Sequence, residues 1–235
     1  VDGNGNWTFT PDPVLTDGTY NLRVNASDDV GNVSANSPVF AFTVDTTGPA
    51  APVVTTVIDD VSPGTGIIAS NGSTNDTRPT FNGTGEVGAT VHVIVDDVEI
   101  GTAVVNAQGN WTFTPTTALG EGPHTITFNA TDAAGNTGVT SPPFNLTVDT
   151  SVPVVTINTV AGDDVINATE HAQAQIISGS ATGAATGSTV TVTIGSTTFT
   201  TVLDASGNWS VGVPASVVSA LANGTVTINA SVTDA

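Results

Sequence analysis

One heptapeptide occurs twice without change, as Gly5-Asn6-Trp7-Thr8-Phe9-Thr10-Pro11 and as Gly109-Asn110-Trp111-Thr112-Phe113-Thr114-Pro115. The two tryptophans lie 104 residues apart. The same offset relates Asp28 to Asp132 in Asp-x-x-Gly-Asn, and Val44-Asp45-Thr46 to Val148-Asp149-Thr150. Three features at one offset make a tandem repeat, and a period near 100 residues is that of a domain rather than a solenoid turn. A weaker copy, Gly207-Asn208-Trp209-Ser210-Val211, follows the second after 98 residues, which marks a related repeat of another subtype. The spacing divides the chain into three parts. Residues 1–45 read as the C-terminal part of a repeat, residues 46–149 as a complete one, and residues 150–235 as a repeat of the second subtype lacking its last strand.

Within the complete repeat, Val91, Val93 and Val95 alternate with Thr90, His92 and Ile94, and Ile126, Phe128 and Ala130 with Thr125, Thr127 and Asn129. Phe144, Leu146 and Val148 alternate in the same way with Asn145 and Thr147. This is the period-2 pattern of half-buried strands. Strands are expected at 53–58, 78–83, 89–96, 98–106, 110–114, 124–132 and 139–148, separated by turn clusters such as Asp96-Asp97 and Asn106-Ala107-Gln108-Gly109. About seven short antiparallel strands in one repeat read as an all-β chain of tandem immunoglobulin-like β-sandwiches. Ala215 to Ala222 carries a helical hint of one or two turns. Trp111 starts an inward alternation with Phe113, so the repeating tryptophans are expected in cores rather than as exposed sugar platforms. Residues 1–45, with about three strands, cannot bury a two-layer core by themselves.

The charge balance narrows the partners. The chain carries 21 acidic groups against two arginines, Arg23 and Arg78, and no lysine, for a net charge of −19. Nucleic acid and anionic lipid are poor partners for such a surface, because phosphate binding needs Lys and Arg to displace counterions. Cysteine is absent, which excludes disulfides, thiol chemistry and zinc–thiolate or iron–sulfur sites. The first residue is Val, and neither a charged n-region nor a long apolar run occurs. The stretch therefore reads as a piece of something longer, with no signal peptide and no membrane insertion of its own.

Several motifs carry less than they promise. Gly83-Thr84-Gly85-Glu86-Val87-Gly88 matches a dinucleotide fingerprint, yet a strand pattern follows where the pyrophosphate needs a helix N-terminus, so it reads as a glycine-rich turn between two strands. Asp2-x-Asn4-x-Asn6 opens like an EF-hand loop but has Trp7 where that loop needs glycine, so a hairpin turn is expected. His92, His124 and His171 fall in different strands or repeats and read as surface or satisfied histidines. Neither a nucleophile elbow nor a carboxylate pair with a nearby base occurs, so no enzyme is expected.

The aspartates are more informative. If strands alternate in direction, the loop carrying Asp132 lies where the chain enters the middle repeat, near Asp45, and Asp28 is its counterpart in residues 1–45. The loop from Asp59-Asp60 to Asp76 lies at the opposite end, where Asp149 leaves and an ion would link two domains. Asp163 and Asp164 follow Asp59 and Asp60 by 104 residues, and Asp234 would open the next Asp-x-x-Gly-Asn. Clustered carboxylates repel unless a cation joins them, and Ca²⁺ takes six to eight oxygen ligands. Asp28, Asp45, Asp59, Asp60, Asp76, Asp132, Asp149, Asp163, Asp164 and Asp234 are thus the candidate Ca²⁺ ligands, against the alternative of a solvated acidic surface.

Taken together, Val-Asp-Thr at Asp45 and Asp149, the Asp-Asp pair, Thr-Asn-Asp-x-x-Pro-Thr-Phe-x-Gly-Thr-Gly, Gly-Asn-Trp-Thr-Phe-Thr-Pro and Asp-x-x-Gly-Asn resemble the bacterial Ig-like repeats of giant type-I-secreted adhesins. These are the biofilm-associated-protein family and its relatives. Asp163-Asp164-Val165-Ile166-Asn167-Ala168-Thr169-Glu170 is similar to the opening of a second repeat subtype in the same proteins. The resemblance implies an extracellular, cell-surface stalk serving adhesion and biofilm formation, with Ca²⁺ rigidifying the domain junctions. Neighbouring repeats of the same chain, and like adhesins on other cells, are the implied partners. A binding module that recognises a glycan or protein directly is the alternative.

Overall fold

Residues 1–233 are described by a computed structural model. In the first 45 residues, β1 (Gly18–Leu22) pairs antiparallel with β2 (Phe40–Val44), setting Tyr20 opposite Phe42 and Leu22 opposite Phe40. The Trp7–Thr10 stretch, sequence-identical to a strand of the middle repeat, forms none here.

The middle repeat contributes β3 (Val53–Asp59), β4 (Gly66–Ile67), β5 (Gly72–Thr74), β6 (Thr80–Thr84), β7 (Thr90–Val95), β8 (Val98–Val104), β9 (Asn110–Phe113), β10 (Gly122–Thr131) and β11 (Phe144–Val148). They form two sheets, ordered β4-β3-β6-β9 and β5-β11-β10-β7-β8. All seven expected strands are present, and the short β4 and β5 are additions. The final strand starts at Phe144 rather than 139, since Pro142 and Pro143 have no N–H to give a ladder.

The inner faces meet in one core, in which Phe81, Val91, Val93, Ile126 and Phe128 are fully buried. The Trp111 ring packs on Phe128 with centroids 5.2 Å apart, and its Nε1–H donates to the Thr84 carbonyl at 3.1 Å. Directly across from it in β6 stands Gly83. A Cβ there would lie 2.3 Å from the Val53 carbonyl oxygen and 2.4 Å from the indole. Gly83 is therefore a strand residue selected by the tryptophan, and only Gly85 to Gly88 serve as the turn expected of the whole glycine-rich run.

The third repeat repeats this device. Its strands are β12 (Val154–Ile157), β13 (Gln175–Thr182), β14 (Thr189–Ile194), β15 (Thr197–Val202), β16 (Asn208–Val213) and β17 (Ile228–Thr233). They form the sheets β12-β13-β16 and β15-β14-β17. Trp209 sits opposite Gly179, where a Cβ would come within 2.6 Å of the indole. The helical hint becomes one turn, α1 (Ala215–Val218), with Val218 buried. Among the described residues no helix is long and apolar enough to cross a membrane. By contact the chain forms two units, Val1–Thr150 and Ser151–Ala235.

One expectation about the cores fails. Trp111 and Trp209 are 2% and 3% exposed, but Trp7 is 53% exposed. No second sheet faces it in residues 1–45.

Candidate functional site

A five-residue loop, Asp/Asn-x-x-Gly-Asn, recurs along the chain. In the copy at 132–136, the backbone N–H groups of Ala134 and Asn136 donate to Asp132 Oδ1 at 2.8 and 2.9 Å. The Asn136 side-chain amide donates to Oδ2 at 2.9 Å. Gly135 takes φ +94°, a backbone conformation that favours glycine. Asp28 receives the same three bonds, from Val30, Asn32 and the Asn32 amide. Asp2 and Asp204 organise the loops that precede Trp7 and Trp209. Neutral Asn106 does so before Trp111. Asp2-x-Asn4-x-Asn6 is accordingly a turn. At Asp28 and Asp132 the carboxylates hold their own loops, since hydrogen bonds to the ionised form keep both carboxyls below the usual range, the Asn32 and Asn136 side-chain amides contributing most.

Asp45 and Asp132 are brought together through an amide. The same Asn136 Nδ2 that donates to Asp132 also donates to the Asp45 carbonyl at 3.0 Å. Beside it the linker and loop touch backbone to backbone, so that a Cβ on Gly138 would lie 1.9 Å from the Pro49 carbonyl oxygen and one on Gly48 2.7 Å from that of Thr137. A second clasp holds the linker from the preceding segment. Asp17 accepts from Thr46 N–H, from Thr46 Oγ1–H at 2.7 Å and from Thr47 Oγ1–H at 2.9 Å. One period later, Glu121 accepts from Thr150 N–H and Oγ1–H at 3.0 and 2.8 Å. Sequence reasoning passed over both acids. Their 104-residue offset was the signal that could have found them.

The opposite end of the middle repeat is different in kind. Asp59 and Asp76 are each 3% exposed, and among the described residues neither has an arginine or histidine partner. Thr74 joins them, its hydroxyl donating to Asp59 Oδ2 and accepting from Asp76 N–H at 3.0 Å. Asp76 Oδ1 accepts from Arg78 N–H at 2.7 Å, while its Oδ2 is buried with no partner, as is Asn75 Oδ1. A Cβ on Gly64 would lie 3.3 Å from Asn75 Oδ1 and 3.5 Å from Asp59 Oδ2, so these two oxygens approach one point of the loop. Parallel pairing of β5 with β11 places Asp149 next to them, its N–H donating to the Thr74 carbonyl at 2.8 Å.

A buried carboxylate without a counter-charge is costly, and a cation offsets that cost. The donors here are all oxygens, which suits a hard ion such as Ca²⁺ rather than a transition metal. Among the described residues no three carboxylate or imidazole side chains converge, so a cation here would draw most of its shell from amide, hydroxyl and carbonyl oxygens and water. Asp60 is exposed beside Asp59. In the third repeat Asp163 and Asp164 are exposed and accept from the Val165 and Val160 N–H groups. They reproduce nothing of the burial at Asp59. Asp234 lies outside the described residues.

Paired, mainly antiparallel sheets that enclose Trp111 in one repeat and Trp209 in the next define a tandem immunoglobulin-like sandwich protein. The chain belongs to the bacterial Ig-like domain family, whose profile matches residues 1–46 and 51–150. A second profile, the bacterial Ig-like domain of group 3, matches residues 109–234. No curated protein matches the chain. Among solved structures it is similar to a Ca²⁺-stabilized adhesin that helps an Antarctic bacterium reach out and bind ice, with 27% identity, a TM-score of 0.36, and coverage of 92% of this chain and 56% of that one. It is similar also to a tetra-tandem repeat in the extending region of a large adhesion protein, at 23% identity and TM-score 0.37, covering 94% of this chain and 54% of that one. A 1.5-MDa bacterial ice-binding adhesin follows at 24% identity and TM-score 0.36, covering 92% and 73%. The chain thus spans little more than half the length of the first two. At such TM-scores the superpositions add nothing to a fold that the family match and the sheets already carry.

Proposed function

We propose that this chain is a structural spacer of a bacterial surface adhesin, extracellular and non-enzymatic, whose repeats are stiffened by Ca²⁺. The observation that carries the calcium reading is the pair of buried oxygens without partners, Asp76 Oδ2 and Asn75 Oδ1, beside a second buried carboxylate, Asp59. An ion held by Asp59, Asn75 and Asp76 would supply the positive charge those oxygens lack. It would also tie the loop after β3 to the loop after β5. Thr74 carries the Asp149 N–H, so the tied loops are one hydrogen bond from the point where the chain leaves the middle repeat. Extracellular modules bind Ca²⁺ with Kd of roughly 10⁻⁴ to 10⁻³ M, a range that the outside of a cell fills and the cytosol does not. A chain exported by a type I route would therefore stay loose inside the cell and stiffen outside it, holding an adhesive end away from the surface during attachment and biofilm growth. The alternative, direct recognition of a glycan or protein, would use exposed aromatic side chains; Trp111 and Trp209 are committed to cores, which leaves Trp7, in residues 1–45, as the exposed tryptophan.

Calcium titration by calorimetry tests the site. The chain should take up Ca²⁺ in that range, and Asp76→Asn should weaken uptake without unfolding the middle repeat. Equal uptake by both chains would remove this site, and no uptake by either would remove calcium.

A further inference from the structure

Two residues one period apart hold the same carbonyl position with different chemistry. Tyr20 and His124 are 104 residues apart, and so are Thr16 and Gly120. The Tyr20 hydroxyl donates to the Thr16 carbonyl at 2.7 Å, and His124 Nε2 lies 2.9 Å from the Gly120 carbonyl oxygen. In each copy the next residue is the acid that clasps the linker, Asp17 on Thr46 and Glu121 on Thr150. The held carbonyl and the N–H of that acid belong to one planar peptide, so fixing the first orients the second. Glu121 stands between two glycines, Gly120 and Gly122, the latter at φ +112°, so the latch on the Gly120 carbonyl restrains a backbone that is otherwise free to turn.

The histidine differs from the tyrosine in what its other side meets. His124 Nδ1 lies 2.7 Å from Asp96 Oδ2. Hydrogen bonds from the Thr125 N–H and from His124 hold the Asp96 carboxyl below the usual range, so it is an anion. A carboxylate and a carbonyl are both acceptors only, and the two bonds to the ring therefore exist together only when the ring carries two protons. A phenolic hydroxyl donates as a neutral group and needs no second proton. Of the other acids around His124, Asp97 in the same turn is exposed, Glu121 is turned to Thr150, and Asp149 lies past the Gly122–Val148 pair. Asp59 and Asp76 bond to Thr74 and to the Arg78 N–H, and the residue opposite His124 in β11 is Leu146.

We propose that His124 is a proton-operated latch on the linker: as an imidazolium it holds the Gly120 carbonyl and keeps Glu121 on Thr150, and as a neutral ring it releases them, while the Tyr20 latch stays closed. The charge-assisted bond to Asp96 is the stronger of the two, so the proton that leaves is the one on Nε2, and the Gly120 carbonyl loses its donor. Burial would lower the pKa of His124, but the Gly120 carbonyl and Asp96 raise it above the ordinary histidine value, so the latch is closed below that value and opens as pH rises through the raised one. A spacer of the kind proposed above would then have one linker that answers to pH and one that does not, and the latch itself stands whether or not that reading does.

Nitrogen NMR of the His124 ring and amide exchange at Thr150 and Thr46 test this in the full chain, from about pH 6 to about pH 9 and under chelator, so that calcium plays no part. As the ring titrates, Nε2 should lose its proton and Nδ1 keep one. Protection of the Thr150 N–H, taken against the unstructured-chain rate at each pH, should fall about fivefold in step, the factor that one lost hydrogen bond supplies. Protection at Thr46 should not change. In a His124→Tyr chain, Thr150 should keep its acid-side protection throughout. A neutral ring with its proton on Nε2, equal behaviour of Thr150 and Thr46, or a His124→Tyr chain that keeps the pH dependence overturns the proposal. Where tyrosine does not fit the site, the ring and the two amides of the unaltered chain decide.

Discussion

Trp111 and Trp7 sit in seven residues of identical sequence and differ from core to surface, so the burial of an aromatic is conferred by the strand laid beside it. Truncating a buried tryptophan costs about 3–5 kcal/mol, and substitutions at exposed positions fall within about 0.5 kcal/mol. Trp111→Ala is therefore expected to unfold the middle repeat in a urea melt, and Trp7→Ala to leave that transition in place. Gly83 is the complementary half of the same contact. A methyl at Gly83 meets both the Val53 carbonyl and the indole, and overpacking of this kind costs about 1–3 kcal/mol. Gly83→Ala should lower the midpoint of the middle repeat, and an unchanged midpoint would show that the ring can move aside. The inward phase of Trp111 and Phe113 was legible from alternation alone. The exposure of Trp7 is not readable from alternation and follows instead from the expectation that residues 1–45 cannot bury a two-layer core by themselves, and Gly83 was hidden because a glycine under a ring looks in sequence like a glycine in a turn.

At the scale of elements, strands with sustained alternation were legible, but β4 and β5 have two and three residues, too few for any period to show. The Asp-x-x-Gly-Asn loops were legible as a repeat, but not the three hydrogen bonds that each carboxylate accepts from its own loop, a role that stands beside the expected one of holding a cation. Their pH behaviour tests these hydrogen bonds. Asp132 and Asp28 have folded pKa values depressed below the unfolded value, so their loops add stability above the unfolded carboxylate range and lose it as pH falls through the folded value. On acidification the N–H groups of Asn136 and Asn32 should lose exchange protection, while that of Asn110, held by neutral Asn106, should persist. Simultaneous loss at all three would contradict the assignment. His124 runs the other way. Burial alone would lower its pKa, but the Gly120 carbonyl at 2.9 Å and the Asp96 carboxylate at 2.7 Å outweigh that and raise it. Its contribution is complete below the unfolded pKa and fades as pH rises through the folded one. The middle repeat should thus be slightly less stable at about pH 8 than at about pH 6. Asp96→Asn should flatten that slope, as read from urea midpoints at the two values.

For the whole molecule, the proposed stiffness would have two separable sources. The Asp17 and Glu121 clasps, with the contact of Gly48 and Gly138, hold the linkers without any ion. Asp17→Ala should speed exchange of the Thr46 N–H whether or not calcium is present. The buried oxygens of Asp59, Asn75 and Asp76 are the calcium-dependent part of the proposal, and they were only half legible. The Thr-Asn-Asp run pointed to Asp76, but not to Asn75 or to the Thr74 hydroxyl that joins the carboxylates. An ion at about 100 times its Kd adds about 2.7 kcal/mol to the folded state. The most direct measurement is small-angle scattering of the chain, with a thermal melt alongside, in millimolar calcium and after chelation. Chelation is expected to give scattering of a more flexible chain and a lower melting temperature, with Asp76→Asn showing both in calcium. Superimposable scattering and melting curves with and without the ion would contradict it, leaving an acidic spacer held by its carboxylate–threonine clasps alone.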